Sequence, residues 1–132
     1  MGVDKQPVEP LGFDNVDTLT EDITQNNILE RIRASSAQPF DVIIADLSPN
    51  VSGIWEVDHA RQIELARIAL RLASYLLKEQ GDMLVKVFQG SELKEFQMEM
   101  KSQFQALRIV KPPASRAESA ELYLLGLSFK GS

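Results

Sequence analysis

Two short runs of apolar, partly β-branched residues set the strongest limit on the fold of this chain, at 40–45 (FDVIIA) and 83–88 (MLVKVF). Each run has the length of a strand that is buried on both faces. Between them, over 63–76, apolar residues recur at helical spacing and charged residues take many of the remaining positions. A helix that connects two buried strands lets them run side by side in the same direction. The pattern therefore predicts an α/β sandwich with a mostly parallel sheet.

The rest of the chain continues the alternation of strands and helices. The further predicted elements are a short strand within 15–22, a helix from Thr24 to before Pro39, a helix over 93–104, and strands over 107–110 and 122–127. Asp58 is the predicted N-cap of the central helix, and Gly81 is its predicted end. The last two strands are separated by one short loop, which is too short for a parallel crossover. We therefore expect a C-terminal antiparallel hairpin.

The composition is that of one globular domain, and it excludes several kinds of site. The chain has 132 residues, 44% of them hydrophobic and 25% charged, with no cysteine and one histidine. A disulfide framework, a cysteine nucleophile and a histidine-rich metal site are therefore excluded. No apolar run approaches the roughly 18 residues that a membrane span needs, and the N-terminus has no signal-peptide pattern. We expect a soluble, cytoplasmic domain without a metal site.

Charge is distributed unevenly along the chain, whose formal net charge is −5. Residues 1–60 carry 11 acidic and 3 basic side chains, whereas residues 61–132 carry 8 acidic and 11 basic ones. The asymmetry fits an acidic half that holds a cationic or hydroxyl-rich ligand and a basic half that meets an anionic one. It fits equally well two solvated surfaces that happen to differ, and charge alone leaves both interpretations open.

Three ionisable residues occupy positions where local rules favour other residue types. Asp46 follows the first buried strand at its carboxyl end, where open α/β sheets bind their ligands. Lys86 lies inside the second buried strand, where an unpaired charge is costly, and Glu121 begins the last strand. Each also has an ordinary structural explanation: Asp46 can cap the loop, the Lys86 side chain can reach solvent at the end of the sheet, and Glu121 can be an exposed residue at the start of a strand. If the strands are adjacent, the three side chains converge at one edge of the sheet, where a desolvated lysine can act as a general base.

Several segments of the chain resemble one known family. The runs DVIIADLSPNVSG (41–53), MLVKVFQG (83–90) and KPPASRAESAELYLLG (111–126) are similar, in order and spacing, to motifs of the FtsJ/RrmJ family of S-adenosylmethionine-dependent ribosomal RNA (ribose-2′-O)-methyltransferases. The run GVDKQPVEPL (2–11) resembles the second strand of that family's sheet and the loop after it. The resemblance covers nearly the whole chain. It implies one domain, residues 1–132, with a Rossmann-like methyltransferase fold that lacks the N-terminal segment with the family's first strand.

The resemblance implies catalytic roles for three residues. Asp46, Lys86 and Glu121 match three members of the family's Lys-Asp-Lys-Glu tetrad. Lys86 is then the general base that takes the proton of a ribose 2′-hydroxyl, while Asp46 and Glu121 orient that hydroxyl and hold the electrostatics around the cofactor cation. The methyl group passes directly from the sulfonium of S-adenosylmethionine to the ribose oxygen, and alignment of the reacting atoms contributes much of the rate.

The resemblance also implies residues that bind the cofactor and the RNA. Asp4 matches the family's acid beside the cofactor ribose, and Asp22 matches its acid beside the adenine, with Asp46 lining the same cleft. Ser115 and Arg116 match the family's Ser-Arg pair, which we expect to lie near the RNA. The implied partner is RNA, and in this family ribosomal RNA or a ribosomal subunit.

Two parts of the family pattern have no match in this chain: the first tetrad lysine and the glycine-rich DLGxxPGGW segment after the first strand. That segment lets the backbone approach the methionine end of the cofactor, so we expect weak S-adenosylmethionine binding by this chain alone. The absent strand is central in the family's sheet. Direct pairing of the flanking strands, displacement of the N-terminal segment or a second chain could close the gap. Of these we favour self-association.

Other functions remain open at this point. One is a non-catalytic, truncated remnant that binds RNA or a partner protein. Another is an amino-methyltransferase, whose D/N-P-P-aromatic loop would fall at 46–49, where Leu47 and Ser48 break the pattern. Trp55 fits half-buried packing or stacking on a base, and His59 fits an ordinary residue in the first turn of a helix.

Overall fold

Strands and helices alternate along the chain, as expected for an α/β fold. The computed structural model describes residues 2–4, 18–20, 27–35, 39–111 and 121–131. Its elements are β1 (Gly2–Asp4), β2 (Thr18–Thr20), α1 (Ile28–Ser35), β3 (Phe40–Ala45), α2 (Trp55–Leu76), β4 (Leu77–Phe88), α3 (Leu93–Gln103), β5 (Phe104–Val110) and β6 (Glu121–Phe129). Within these segments, every helix is too short or too polar to span a bilayer.

Four strands form one mixed sheet in the order β3-β4-β6-β5. β3 and β4 pair in parallel, whereas β6 is antiparallel to both β4 and β5. β3, β4 and β5 therefore run in one direction and β6 opposes them. This confirms the predicted α/β class, in which the sheet ends in an antiparallel β5–β6 hairpin. β1 and β2 pair in parallel as a separate two-stranded sheet.

The main core lies between the four-stranded sheet and the two longer helices. Alternate residues of β4, namely Met83, Val85 and Val87, point into it and are almost completely buried. From α3, Phe96 and Met100 fill the same cluster. Removing this apolar surface from water supplies most of the driving force for folding. Because side chains alternate along a strand, the core also directs the intervening residues of β4 to the opposite face of the sheet.

The central helix begins and ends earlier than the sequence pattern predicts. α2 starts at Trp55, one turn before Asp58, and its N-cap residue Ile54 makes no side-chain capping bond. The predicted N-cap is wrong because the Asp58 carboxylate accepts hydrogen bonds from the loop before the helix, not from the first turn. The helix ends at Leu76, and Gly81 lies inside β4, where a Cβ atom would come within 2.9 Å of a β3 carbonyl oxygen.

β3 lies at an edge of the four-stranded sheet and presents apolar side chains to solvent. Val42 and Ile44 are both more than half exposed. β1 and β3 are the two strands that would flank the absent strand. In the described part of the chain they belong to different sheets, so they do not close the gap by pairing with each other. Among the described residues, no strand pairs with the outer edge of β3, and such an edge can accept another strand.

Candidate active site

Lys86 and Asp46 form an ion pair where β3 and β4 end. Lys86 Nζ lies 2.9 Å from Asp46 Oδ1 and donates a hydrogen bond to Ser48 Oγ at 2.5 Å. Lys86 is only 7% exposed, whereas 58% of the Asp46 side chain is exposed. The structure thus brings these two predicted residues together, and it buries the amine while leaving its carboxylate partner open to solvent.

The register of the sheet explains this pair. Ala45 pairs with Val85, and both residues face the main core. Because side chains alternate along a strand, the next residue of each chain segment, Asp46 and Lys86, projects to the other face at the same height. The Lys86 ammonium lies 5.9 Å from the centre of the Phe88 ring. An acid, a base and an aromatic ring therefore meet at the carboxyl edge of the sheet, where open α/β folds place their ligands.

Glu121 lies on the same face of the sheet as Lys86. It begins β6 opposite Phe88, while Lys86 pairs with Tyr123. Paired residues of an antiparallel ladder share a face, as do residues two positions apart on a strand. The exposed Glu121 therefore lies beside Phe88, which is two residues further along β4 than Lys86.

The remaining predicted residues fall largely outside the described part of the chain. Asp22, Ser115 and Arg116 lie outside it. For Asp4 the structure describes the backbone alone, which ends β1. The binding roles of these four residues stay predictions, as do the catalytic roles of Asp46, Lys86 and Glu121.

Gln62, in the first half of α2, holds the backbone of both strand ends. Its Nε2 donates to the carbonyl oxygens of Lys86 at 2.6 Å and Leu47 at 3.4 Å, and its Oε1 accepts from the Phe88 N–H at 2.9 Å. The paired residues of β3 and β4 end one position before Lys86. The side-chain amide of Gln62 thus bonds to the β4 backbone groups that a peptide group of a longer β3 would have bonded to. Gln62 is completely buried, so these bonds fix the backbone of Lys86 firmly.

His59 holds the loop that follows β4. Its Nδ1 lies 2.9 Å from the carbonyl oxygen of Phe88, and its Nε2 accepts the backbone N–H of Glu92 at 3.0 Å. This pattern assigns the proton to Nδ1 of a neutral ring. Gly90 packs directly on the ring, and a Cβ atom at that position would lie 2.4 Å from two of its carbons. The loop after β4 therefore packs closely on the buried histidine and leaves no room for a side chain at position 90.

Asp58 holds the loop that follows β3. Its Oδ1 accepts from the N–H and the hydroxyl of Ser52, both at 2.8 Å, and its Oδ2 accepts from the Gly53 N–H at 3.2 Å. The backbone hydrogen bond from Ser52 is the main cause that lowers the pKa of Asp58 below its ordinary value, and burial opposes this shift in part. Gly53 has a φ of +88°, in the left-handed region that favours glycine. Three neighbouring polar residues of α2 thus hold the loops on both sides of the Lys86–Asp46 pair.

The sequence motifs do not include Gln62, and they do not indicate the role of His59. A signal was present, because both residues extend the buried stripe of α2 that continues through Ala66, Leu70 and Ala73. A polar residue on an otherwise apolar helix stripe needs a buried hydrogen-bond partner.

Solved methyltransferase structures share this architecture. A structure from Plasmodium falciparum, named a ribosomal RNA methyltransferase, matches with a TM-score of 0.82 at 23% identity, over 99% of this chain and 72% of that one. A structure named as a methyltransferase from Streptococcus mutans, in complex with SAH, matches with a TM-score of 0.54 at 14% identity, over 96% of this chain and 69% of that one. The fold is thus that of an α/β methyltransferase.

The chain belongs to the family of FtsJ-like methyltransferases, whose family model matches residues 1–129. Proteins named ribosomal RNA large subunit methyltransferase E are similar to it: that of Methanothrix thermoacetophila is 48% identical over 96% of this chain, and that of Methanocaldococcus jannaschii is 41% identical over 99%. The chain spans 49% and 55% of the length of these two relatives. The family resemblance of the sequence motifs is confirmed.

Proposed function

We propose that this chain carries reacting residues of an S-adenosylmethionine-dependent ribosomal RNA (ribose-2′-O)-methyltransferase. The observation that supports this is the buried Lys86 amine, held 2.9 Å from Asp46 at the ends of two parallel strands. A hydroxyl group is a weak nucleophile until a base removes or polarises its proton, and a buried lysine is suited to that task. The names of the relatives support ribosomal RNA, free or in the ribosomal subunit, as the substrate.

Lys86 takes the hydroxyl proton only as a neutral amine, so the ammonium of the Lys86–Asp46 pair first releases a proton to solvent. Nζ then accepts the hydroxyl proton as the oxygen attacks the methyl group. The Asp46 carboxylate is largely exposed and can also attract a second cation. The hydrogen bond to Ser48 directs Nζ, and Glu121 on the same face orients the hydroxyl.

The described residues fit the reacting end of the cofactor. S-adenosylmethionine, when bound, supplies a methyl group on a positively charged sulfur. Asp46 suits such a cation, because its carboxylate follows a parallel strand and faces solvent. We assign Asp4 to the cofactor ribose and Asp22 to the adenine. β1, which ends at Asp4, belongs to a separate two-stranded sheet. In the described part of the chain, Asp4 and Asp46 therefore do not follow strands of the same sheet. For this reason we propose weak cofactor binding by this chain alone.

A methyl-transfer assay tests the proposed function. The chain alone, and the chain joined to the part of the Methanothrix relative that has no counterpart in it, are each incubated with methyl-labelled S-adenosylmethionine and large-subunit ribosomal RNA. We expect transfer by the joined protein and little or none by the chain alone. The labelled nucleotide should resist alkaline cleavage, because a methylated 2′-oxygen cannot attack the adjacent phosphate.

Two outcomes of this assay would contradict the proposal. Label on a base instead of a ribose would overturn the 2′-O assignment. RNA binding without transfer by either protein would support the alternative of a non-catalytic chain that binds RNA.

We also propose that a second copy of this chain covers the open edge of β3. Two such edges, related by a two-fold axis, can pair as antiparallel strands, and the exposed Val42 and Ile44 lie beside that edge. We expect light scattering to show dimers at high protein concentration. Ile44→Lys, which adds a charge at a 66% exposed position, should restore the monomer without unfolding it.

The matched control for this prediction is Met98→Lys. Met98 is 64% exposed on α3, away from β3, so its substitution should leave the dimer intact. A strictly monomeric chain at every concentration would overturn the proposed self-association.

A further inference from the structure

We propose that Trp55 is a stacking platform for a base of the RNA substrate, close to the reacting lysine. This inference rests on the proposed function, because it assumes that the ligand is RNA, and it adds a binding residue that none of the family motifs contains. The platform is the face of the indole ring that Phe88 does not cover.

The indole ring is held on one face and at its polar edge. Its centroid lies 5.4 Å from that of the Phe88 ring, with an angle of 19° between the planes, so the two rings are stacked. Its Nε1 donates to the carbonyl oxygen of Gln89 at 3.1 Å. Phe88 itself is buried. The orientation of the indole is therefore fixed before any ligand binds, which lowers the entropic cost of stacking on it.

A large part of the Trp55 side chain does not contact the rest of the protein. Trp55 is 46% exposed, and because Phe88 covers one face, the open surface belongs to the other face and the edges. An aromatic ring whose N–H is already bonded offers its π-face rather than a further hydrogen bond. Bases of single-stranded RNA bind to such faces by stacking, with little dependence on sequence.

The platform lies close to the reacting amine. The Phe88 ring is 5.9 Å from Lys86 Nζ and 5.4 Å from the Trp55 ring, so the amine and the indole are no further apart than these two distances together. That separation is within the reach of one nucleotide or of two neighbours. A base on the outer face of Trp55 lies one stacking distance further from the amine, so the ribose of the same or a neighbouring nucleotide can reach Lys86 without any contact to a base edge.

Intrinsic fluorescence tests the platform directly, because Trp55 is the only tryptophan of the chain. The probe is a single-stranded RNA oligonucleotide of mixed sequence, titrated into the unmodified chain. We expect the RNA to quench the tryptophan emission, and an oligonucleotide with abasic sites to quench it much less. In parallel, anisotropy of an end-labelled copy of the same RNA measures affinity. Trp55→Leu should weaken binding about tenfold, and Trp55→Phe should retain most of it.

The matched control is Tyr75→Leu. Tyr75 is another exposed aromatic residue of α2, 59% exposed at the far end of the helix, and its loss should leave RNA affinity unchanged. Circular dichroism of each variant verifies that it is folded, and the quenching of the unmodified chain does not depend on any variant.

The outcomes separate this inference from the proposed function. RNA binding without quenching, or with the same affinity in folded Trp55→Leu, would overturn the platform and leave the methyltransferase proposal standing. Absence of RNA binding would overturn the platform too, and the methyl-transfer assay of the joined protein would then decide the proposed function separately. If RNA quenches the Trp55 emission but the joined protein transfers no methyl group, the RNA-binding role of Trp55 stands and the proposed methyltransferase function is refuted.

Discussion

Lys86→Met is expected to slow methyl transfer by the joined protein about a hundredfold to ten-thousandfold. Methionine keeps the aliphatic volume of the buried lysine and removes its amine. Asp46, which loses its partner, is largely exposed, so no charge is left buried and the fold should persist. Cofactor binding should change little, since the carboxylate remains. A methyl-transfer assay and calorimetry of S-adenosylmethionine binding, both on the joined protein, measure the two effects.

Lys94→Met is the control for this prediction. Lys94 is an exposed lysine in the first turn of α3, and its replacement should leave both measurements unchanged. Transfer by Lys86→Met at the original rate would show that another group accepts the proton. A joint loss of transfer and cofactor binding would instead assign Lys86 a binding role.

Gln62→Leu is expected to lower the free energy of unfolding by about 3 kcal/mol, because it leaves buried backbone groups without partners at about 1–3 kcal/mol each. The groups affected most are the carbonyl oxygen of Lys86 and the N–H of Phe88. Leucine has a similar size, so loss of volume contributes little. Urea denaturation of the chain measures the effect. In the joined protein, methyl transfer should fall as well, because the backbone that carries Lys86, the proposed base, becomes less fixed.

Two further variants show whether the hydrogen bonds are the cause. Gln62→Glu keeps the acceptor for Phe88 but cannot donate to Lys86 or Leu47, so it too should be destabilised. Gln105→Leu replaces an exposed glutamine of β5 and should change stability by no more than about 0.5 kcal/mol. An unchanged unfolding midpoint for Gln62→Leu would show that water or another group replaces the amide.

Much of the sheet could be predicted from local patterns. The run at 40–45 is the observed β3, Phe40–Ala45, and the hairpin of β5 and β6 is antiparallel as expected. The meeting of Asp46 and Lys86 also follows from the sequence, because the carboxyl ends of neighbouring parallel strands lie at one edge. These predictions succeed because strand burial and strand direction depend on short runs and on the lengths of the connections between them.

The contacts that hold the site could not be predicted in the same way. Gln62 and His59 interact with backbone groups 15–33 positions away, and no local pattern encodes such distances. Asp58 has the residue type of an N-cap, yet its carboxylate binds the preceding loop. The difference depends on how that loop folds back on α2, which tertiary packing decides.

The contacts of α2 have a mechanical consequence for the site. Three buried polar residues of this one helix form hydrogen bonds to the segments after β3 and after β4. We expect these hydrogen bonds to make the two segments move together, which keeps the separation of Lys86 and Asp46 nearly constant. Under the proposed function, a large substrate is then expected to enter and leave on the side where the Asp46 carboxylate and Glu121 face solvent.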